Sequence, residues 1–336
     1  MCELFKRLIV LTVILSLTAI LAAGCGGGQP VQKAEAPKYP AKAVEIIVPW
    51  DAGGATDVLF RALGASYSKY ANNQQLIVKN VPGGGAAIGY TEAMKYKGDG
   101  YGIVAAASPM VSKIHMSEVK FDIQTFAPVI LIADNACMIM VPADSPYKDL
   151  KDLIAEAKKR PGEVTIGNGG SGGGTHLAAL AFENFVGDVK FKHVPFQGGG
   201  PQITAVMGKH VDAVMVSAPE GIPQAHAKQL RILGVFGEKR LAKFPDVSTA
   251  KEQGIDFKFT MWRGVLAPKD TPPELIKQMH DIFKKTMEDD QFKAKADELS
   301  VDLKYLGVED FGKFLKAEDQ QYMNLIKKAK LGDRYK

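Results

Sequence analysis

Two glycine-rich segments constrain the fold of this chain more than any other feature. Each lies between an apolar strand pattern and a helix pattern that opens on threonine: VEIIVPWDAGGATD at 44–57 and VTIGNGGSGGGTHL at 164–177. Glycines at the start of a helix leave its backbone N–H groups bare, and those groups, together with the helix dipole, favour an anion. Two such segments far apart in sequence predict two lobes that hold one small anion between them.

Strand and helix patterns alternate along the chain, which indicates an α/β fold with mostly parallel sheets. The apolar run Pro128–Val141 and the segment Phe257–Ala267 are suited to carry the chain from one lobe to the other and back. We therefore expect a hinged two-lobe binding protein, with crossings near Met138–Pro142 and Thr260–Gly264 and a ligand cleft between the lobes. After Pro268 the pattern is mostly helical. The expected domains are residues 39–139 with 262–336 as lobe I and residues 140–261 as lobe II.

Residues 1–24 have the features of an export signal. Lys6 and Arg7 precede an almost unbroken apolar run, Leu8–Ala23, which is short for a membrane span. The run ends in LAAGC, which resembles a bacterial lipobox and makes Cys25 the expected lipidation site, although Ala22 stands where leucine is usual. The alternative is a plain signal peptide followed by a chance cysteine. Residues 25–38 are typical of a flexible tether, so we expect an extracytoplasmic protein attached to the membrane by its lipid alone.

The charges and cysteines exclude several classes of protein. The formal net charge is +5, but basic residues are interspersed with acidic ones, so the sequence has no basic stripe for nucleic acid. Cys2 leaves with the signal and Cys25 carries the lipid, which leaves Cys137 in an apolar segment as a buried small hydrophobe. The sequence has no disulfide framework and no metal-ligand spacing. It predicts neither a metal nor a cofactor.

In the first loop, Gly53 and Gly54 allow the backbone to approach a ligand closely, and Thr56 offers a hydroxyl group. Asp57 lies in the first helical turn, where an acid stabilises a helix start by ~0.3–1 kcal/mol without touching a ligand. We favour that role for Asp57 over direct contact. Trp50 is either an apolar wall of the cleft or a core residue. Because the loop has no arginine or lysine, a carboxylate bound here would depend on backbone N–H groups.

The second loop matches two enzyme motifs. Residues 167–172 spell G-x-G-x-x-G, the dinucleotide pattern, and residues 169–173 spell G-x-S-x-G, the hydrolase elbow, around Ser171. The first hypothesis lacks an acid at the end of the next strand, and the second lacks a convincing downstream pair of Asp and His. An α/β hydrolase or a nucleotide-dependent enzyme that uses this loop is therefore the alternative function. His176 is expected to cap or pack as a neutral side chain rather than to ligate a metal or catalyse.

Six segments in one order resemble the extracytoplasmic solute receptors of tripartite tricarboxylate transporters, often called Bug-type receptors. The segments are YPAKAVEIIVPWDAGGATD at 39–57, PGGGAAIG at 82–89, DGYG at 99–102, GNGGSGGGTHLA at 167–178, HVPFQG at 193–198 and GVLAPKDTPP at 264–273. The resemblance covers the whole mature chain and is far more specific than any single glycine pattern. It implies a type II periplasmic-binding-protein-like fold, with two α/β lobes joined by a two-crossing hinge. It also implies a receptor rather than an enzyme.

The resemblance implies a function and a site. Such a receptor captures a small carboxylate (a di- or tricarboxylate, an acidic amino acid or an aromatic acid) and delivers it to a two-component membrane permease; we expect a monomer. The two loops grip one carboxylate through backbone amides, hydroxyls and water, and the outer part of the pocket is more variable. The ligand-binding residues expected on this basis are Trp50, Asp51, Ala52, Gly53, Gly54, Ala55, Thr56, Asp57, Ser108, Pro109, Gly170, Ser171, Gly172, Gly173, Thr175, His176, Gln197, Ser217, Ala218 and Pro219.

The chain departs from the family pattern at positions that affect the choice of ligand. Asp51 stands where a small residue is usual; it either repels a second ligand anion or accepts an ammonium group, or it faces water or caps the helix. The segment 217–219 lacks the asparagine-containing versions that are common in the family. The loop 169–174 has one serine where relatives carry two or three, which shifts its bonding toward the backbone. The resemblance therefore does not define the ligand.

Overall fold

Ten strands form one continuous sheet in the part of the chain that the structure, a computed structural model, describes, residues 39–196 and 198–332. The predicted signal peptide, the tether, Cys25 and Gln197 lie outside the described residues. The strands are β1 (Val44–Val48), β2 (Leu76–Asn80), β3 (Gly102–Ala107), β4 (Phe126–Pro142), β5 (Thr165–Asn168), β6 (Lys192–Pro195), β7 (Ala213–Ser217), β8 (Leu230–Val235), β9 (Thr260–Pro268) and β10 (Leu303–Leu306).

Ten α-helices accompany these strands within the same described ranges, together with a short 3₁₀ turn at Lys251–Gln253. The helices are α1 (Ala55–Tyr67), α2 (Ala87–Ala93), α3 (Ser108–Met116), α4 (Leu150–Lys159), α5 (Gly174–Val186), α6 (Gly199–Met207), α7 (Ala218–His226), α8 (Pro273–Glu288), α9 (Asp290–Glu298) and α10 (Val308–Lys328).

The sheet consists of two parallel groups with an antiparallel centre. The strand order is β2-β1-β3-β9-β4-β7-β5-β6, and β8 and β10 also pair with β4. Strand β1 is parallel to β2 and β3, and β5 is parallel to β6 and β7. Strands β4 and β9 are antiparallel to all their partners. The α/β fold is confirmed, but the expectation of mostly parallel pairing was wrong at the centre, because the two strands that connect the groups run against them.

Strand β4 joins the two parallel groups within a single element. It has 17 residues, and it changes partners along its length. The part Phe126–Ala136 pairs with β9, whereas Cys137–Pro142 pairs with β7 and β8. Cys137 is fully buried at this change of partners, as its apolar surroundings in the sequence predict. The two groups of strands are therefore continuous through β4.

Six helices follow parallel strands, and this positions the glycine loops. Helices α1, α2, α3, α5, α6 and α7 follow β1, β2, β3, β5, β6 and β7 respectively. Because parallel strands of one group end at the same edge, the starts of their helices gather there. The first glycine loop thus lies beside the start of α3, and the second lies beside the starts of α6 and α7.

Core packing fixes the direction of α1. Its buried residues Leu59, Phe60, Leu63 and Tyr67 recur at helical spacing and pack in one cluster with strands of the first group. The Tyr67 ring lies 5.3 Å from that of Phe283 on α8. These contacts hold the amino end of α1 at the edge of the sheet.

The region after β9 contains a strand and a separate short helix that the mostly helical pattern did not predict individually. Strand β10 pairs antiparallel with β4, and α9 is separated from α8 by Asp289. The four residues of β10 are only partly buried or exposed, so they show no alternation that would distinguish a strand from a helix end.

Asp289 connects this region to α1. Its carboxylate caps the first turn of α9 and accepts hydrogen bonds from Ser66 Oγ at 2.7 Å, Lys69 Nζ at 3.0 Å and Tyr70 Oη at 3.0 Å. The bond from Ser66 is the largest of several effects that hold the pKa of Asp289 well below its ordinary value, against the opposing effect of burial.

We expect Asp289→Asn to lower the free energy of unfolding by about 1–3 kcal/mol at pH 7, because several donors lose a charged acceptor. Since the pKa of Asp289 is lower in the folded state, its stabilisation is present above the unfolded pKa of about 3.9 and is lost as the pH falls below it. Urea unfolding of both proteins at pH 7 and pH 3 measures the difference. The difference in free energy of unfolding between the two proteins should be smaller at pH 3. An equal difference at both pH values would contradict the stabilising role of the Asp289 carboxylate.

Candidate functional site

The first loop ends in a helix start without a side-chain cap. Gly54 is the N-cap of α1, and the first helical hydrogen bond runs from Val58 N–H to the Gly54 carbonyl. The backbone N–H groups of Ala55, Thr56 and Asp57 have no acceptor among the described residues. Three donors at the positive end of the helix dipole therefore remain for a ligand.

Asp57 organises this loop. Its carboxylate accepts hydrogen bonds from Gly53 N–H at 2.8 Å and from Asn80 Nδ2 at 2.9 Å, and it pairs with Arg61 at 3.0 Å. Burial raises the pKa of Asp57, but the bonds from Arg61, Gly53 and Asn80 outweigh burial and hold the pKa below its ordinary value. Both carboxylate oxygens are occupied, so the Asp57 side chain supports the loop.

The second loop repeats this design. Gly173 is the N-cap of α5, without a side-chain cap, and Leu177 N–H donates to its carbonyl. The N–H groups of Gly174, Thr175 and His176 have no acceptor among the described residues. In both helices the N-cap is glycine, the second residue is threonine, and the third residue bonds a loop amide four positions earlier.

His176 is the counterpart of Asp57. Its Nδ1 accepts the N–H of Gly172 at 2.9 Å, so the ring is a neutral acceptor at that atom. Burial, assisted by the neighbouring His193 ring 5.1 Å away, lowers the pKa of His176 to about 4. Ser171 is exposed, and the accepting nitrogen of His176 is already bonded within the loop. The loop therefore has the geometry of a turn that presents backbone N–H groups. Among the described residues, it lacks the hydrogen bond from serine to histidine that would activate Ser171 as a nucleophile.

Both threonine hydroxyls accept hydrogen bonds that fix their orientation. Gly169 N–H donates to Thr175 Oγ1 at 2.8 Å, and Arg263 Nε donates to Thr56 Oγ1 at 3.3 Å. Both threonines are buried, and neither hydroxyl donates to a described residue. Each hydroxyl hydrogen therefore remains available to an acceptor on a ligand.

Strand β9 brings the two helix starts together. Arg263 on β9 bonds Thr56 at the start of α1 and, through Nη1, the carbonyl of Met261 at 3.5 Å. A Cβ atom on Gly174, the first residue of α5, would collide with the Met261 side chain. One short stretch of β9 thus contacts the first turns of both helices.

The remaining predicted residues lie around this centre. Ser108 and Pro109 open α3, and Ser217, Ala218 and Pro219 form the N-cap and first residues of α7. The buried Ser108 Oγ accepts Trp262 N–H of β9 at 3.0 Å, which ties the start of α3 to the same stretch of β9.

Trp50 and Asp51 have different surroundings. Trp50 packs edge-on against Tyr90 with 6.2 Å between ring centroids, and it lies partly buried against two hydrophobic clusters that include strands of the first group. Asp51 is exposed, as are Ala52, Gly53 and Gly54. Gln197 lies outside the described residues.

Sequence reasoning did not identify two charged residues, Arg263 and Glu220. Arg263 is nearly fully buried beside Thr56. Glu220 lies in the first turn of α7, where its carboxylate accepts Ser217 N–H at 3.4 Å and lies against Gly199 at the start of α6. Burial raises the pKa of Glu220, and the charge of Arg263 opposes that rise. The one available signal was an arginine within the apolar strand FTMWRGVLA.

A family model described as "Tripartite tricarboxylate transporter family receptor" matches residues 59–331. The chain belongs to this receptor family. Its members are extracytoplasmic solute-binding receptors, so the chain is a receptor and not an enzyme, and the hydrolase and nucleotide alternatives receive no support.

Individual relatives agree with this family assignment. A Cupriavidus necator protein described as "UPF0065 protein in gbd 5'region" is 32% identical over 300 residues, which cover 89% of this chain and 91% of that protein. The structure of a TctC solute binding protein from Polaromonas is 34% identical with a TM-score of 0.74, over 86% of this chain and 99% of that one. The structure of R. palustris Rpa4515 with adipate is 25% identical with a TM-score of 0.78, over 86% of this chain and 97% of that one.

Two structural features are absent from the described residues. Within residues 39–196 and 198–332, the receptor contains no helix that is long and apolar enough to cross a membrane. The same ranges contain no group of three or more His, Cys, Asp or Glu side chains that could hold a metal ion.

We expect Asp57→Asn to lower the free energy of unfolding by about 1–2 kcal/mol, because an amide cannot accept from Gly53, Asn80 and Arg61 together. Asp51→Asn is the matched control: it removes an exposed acid from the same loop and should change stability by less than about 0.5 kcal/mol. Thermal denaturation of both variants, with hydrogen exchange at Gly53, measures the two effects. Equal stability of the two variants would show that Asp57 does not hold the loop.

Proposed function

We propose that this receptor binds a small carboxylate between the starts of α1 and α5 and delivers it to a membrane permease of the tripartite tricarboxylate type. One observation carries the proposal: two helix starts, each capped by glycine and each with three N–H groups free of acceptors among the described residues, both contact the Met261–Arg263 stretch of β9. Aligned N–H groups at the positive end of a helix are suited to an anion.

The strength of such a site is adequate for a transport receptor. A hydrogen bond to a charged partner contributes about 1.5–3 kcal/mol. Micromolar affinity requires about 8 kcal/mol. Three or four bonds from the two helix starts, with the Thr56 and Thr175 hydroxyls, offset the cost of ordering the ligand and reach this range.

Relatives support a carboxylate as the class of ligand. The structure of R. palustris Rpa4515, which is similar along most of its length, contains adipate, a dicarboxylate. The donors at the two helix starts here are backbone amides and hydroxyls, which fit the oxygen atoms of a carboxylate without defining the rest of the molecule. We therefore propose the class that includes di- and tricarboxylates, acidic amino acids and aromatic acids.

Ligand capture would involve closure of two lobes. We propose residues 39–139 with 262–336 as lobe I and residues 140–261 as lobe II, connected through β4 and β9. The change of partners in β4 between Ala136 and Cys137 supports a hinge near this boundary. We further propose a monomeric receptor anchored through lipid on Cys25, so that the closed, loaded form presents itself to the permease at the membrane surface.

We expect Thr56→Val and Thr175→Val each to weaken binding of the preferred acid by about tenfold, because each removes a hydroxyl donor to the ligand and also the acceptor of Arg263 Nε or of Gly169 N–H. Thr204→Val is the matched control, since Thr204 is exposed on α6 and bonds the carbonyl of Gly200 within its own helix. Thermal shift with adipate, succinate, malate, citrate, glutamate and benzoate identifies the acid, and calorimetry gives its Kd. Full affinity in both site variants, or no shift of the wild type with any acid, contradicts the proposal.

A further inference from the structure

Arg263 is a buried cation at the centre of the site. The residue is 5% exposed. On β9 the preceding residue, Trp262, packs against Phe311 of α10, with 5.7 Å between ring centroids. Because successive side chains of a strand point to opposite faces, Arg263 lies on the other face of the sheet, where it meets the start of α1. The guanidinium is thus directed at the helix start that we propose as the carboxylate site.

The hydrogen bonding of Arg263 differs from that of the other arginines among the described residues. Arg61, Arg160 and Arg240 each pair with a carboxylate, and Arg231 donates to three backbone carbonyls. Arg263 makes two long bonds, 3.3 Å to Thr56 Oγ1 and 3.5 Å to the Met261 carbonyl, and no described carboxylate reaches it at ion-pair distance.

Such an arrangement is costly without a ligand. A buried charge that lacks a close counter-ion destabilises a folded protein, and arginine remains protonated rather than losing its charge. Glu220 on α7 is near enough to interact electrostatically with Arg263, but it lies beyond ion-pair distance and caps its own helix. The guanidinium therefore retains N–H groups that can donate to a ligand, beside the Ala55 and Thr56 amides that have no acceptor among the described residues.

We propose that Arg263 binds the carboxylate of the ligand directly, together with the amides and the hydroxyl at the start of α1. This inference rests on the proposed receptor function and adds a charged contact to a site that sequence reasoning assigned to backbone amides alone. A guanidinium provides parallel N–H donors that match a carboxylate, so Arg263 would select an ionised acid over a neutral molecule of the same shape.

The test compares two arginines with opposite expected effects. Arg263→Met removes the charge and keeps an unbranched apolar chain, and Arg263→Lys keeps the charge. Arg231→Met is the matched control, because Arg231 is committed to the carbonyls of Ala143, Ser145 and Tyr147. For each protein, the Tm without added acid and the Kd for the acid selected from the six-acid panel are measured.

We expect Arg263→Met to raise the Kd by about 10- to 100-fold and to leave the ligand-free Tm unchanged or higher, because a buried, poorly paired charge is removed. Arg263→Lys should retain part of the affinity. Arg231→Met should lower the Tm and leave the Kd within about twofold.

Two results overturn the inference while the proposed function stands. In the first, Arg263→Met binds the acid as tightly as the wild type. In the second, the affinity of Arg263→Met falls but its Tm also falls, as it does in Arg231→Met. Failure of the wild type to bind any acid of the panel would instead refute the proposed function, and the role of Arg263 with it.

Discussion

Six backbone N–H groups at the starts of α1 and α5 have no acceptor among the described residues, and this constraint determines much of the surrounding structure. A helix start without a side-chain cap must be held in place by other means. In both helices, the third residue reaches back to an amide of the loop, Asp57 to Gly53 and His176 to Gly172. The donors in these two bonds are loop amides that precede the helices. The N–H groups of the first helical turns therefore stay without acceptors among the described residues.

The two supports differ in charge. Asp57 is an ionised carboxylate neutralised by Arg61, whereas His176 is a neutral imidazole. Neither places a net charge at the open amides, so the field there comes from the helix dipoles and from Arg263. Glu220 accepts the Ser217 N–H at the start of α7 and lies against Gly199 at the start of α6, beyond ion-pair distance from Arg263. Oriented donors of this kind are suited to an anion, and we propose that the buried Arg263 adds a preference for an ionised group.

The sequence predicted the local features of this fold well and the long-range ones less well. The strand–glycine–helix units were predictable because the strand, the turn and the helix start are neighbours in the chain. The antiparallel centre was not predicted, because the pairing of β4 with β9 depends on contacts between distant segments. Strand β10 was missed because four half-exposed residues carry no periodic signal.

The same distinction applies to the site. The glycine caps and both threonines were assigned from local pattern, although their contact with a ligand stays a prediction. Arg263 was missed because it reaches Thr56 across 207 positions of sequence. Its strand was interpreted only as a crossing between lobes. The supporting roles of Asp57 and His176 were anticipated as capping or packing, but their shared bond to a loop amide four residues earlier is visible only in the structure.

The central claim is that both helix starts bind one carboxylate at the same time. Amide NMR of the labelled receptor during titration with the acid that binds tests it most directly. The cross-peaks of Ala55 and Thr56 and those of Gly174 and Thr175 should move downfield together and saturate with one Kd, because each N–H gains a charged acceptor. Movement at only one of the two helix starts, or two separate saturation curves, would contradict the claim.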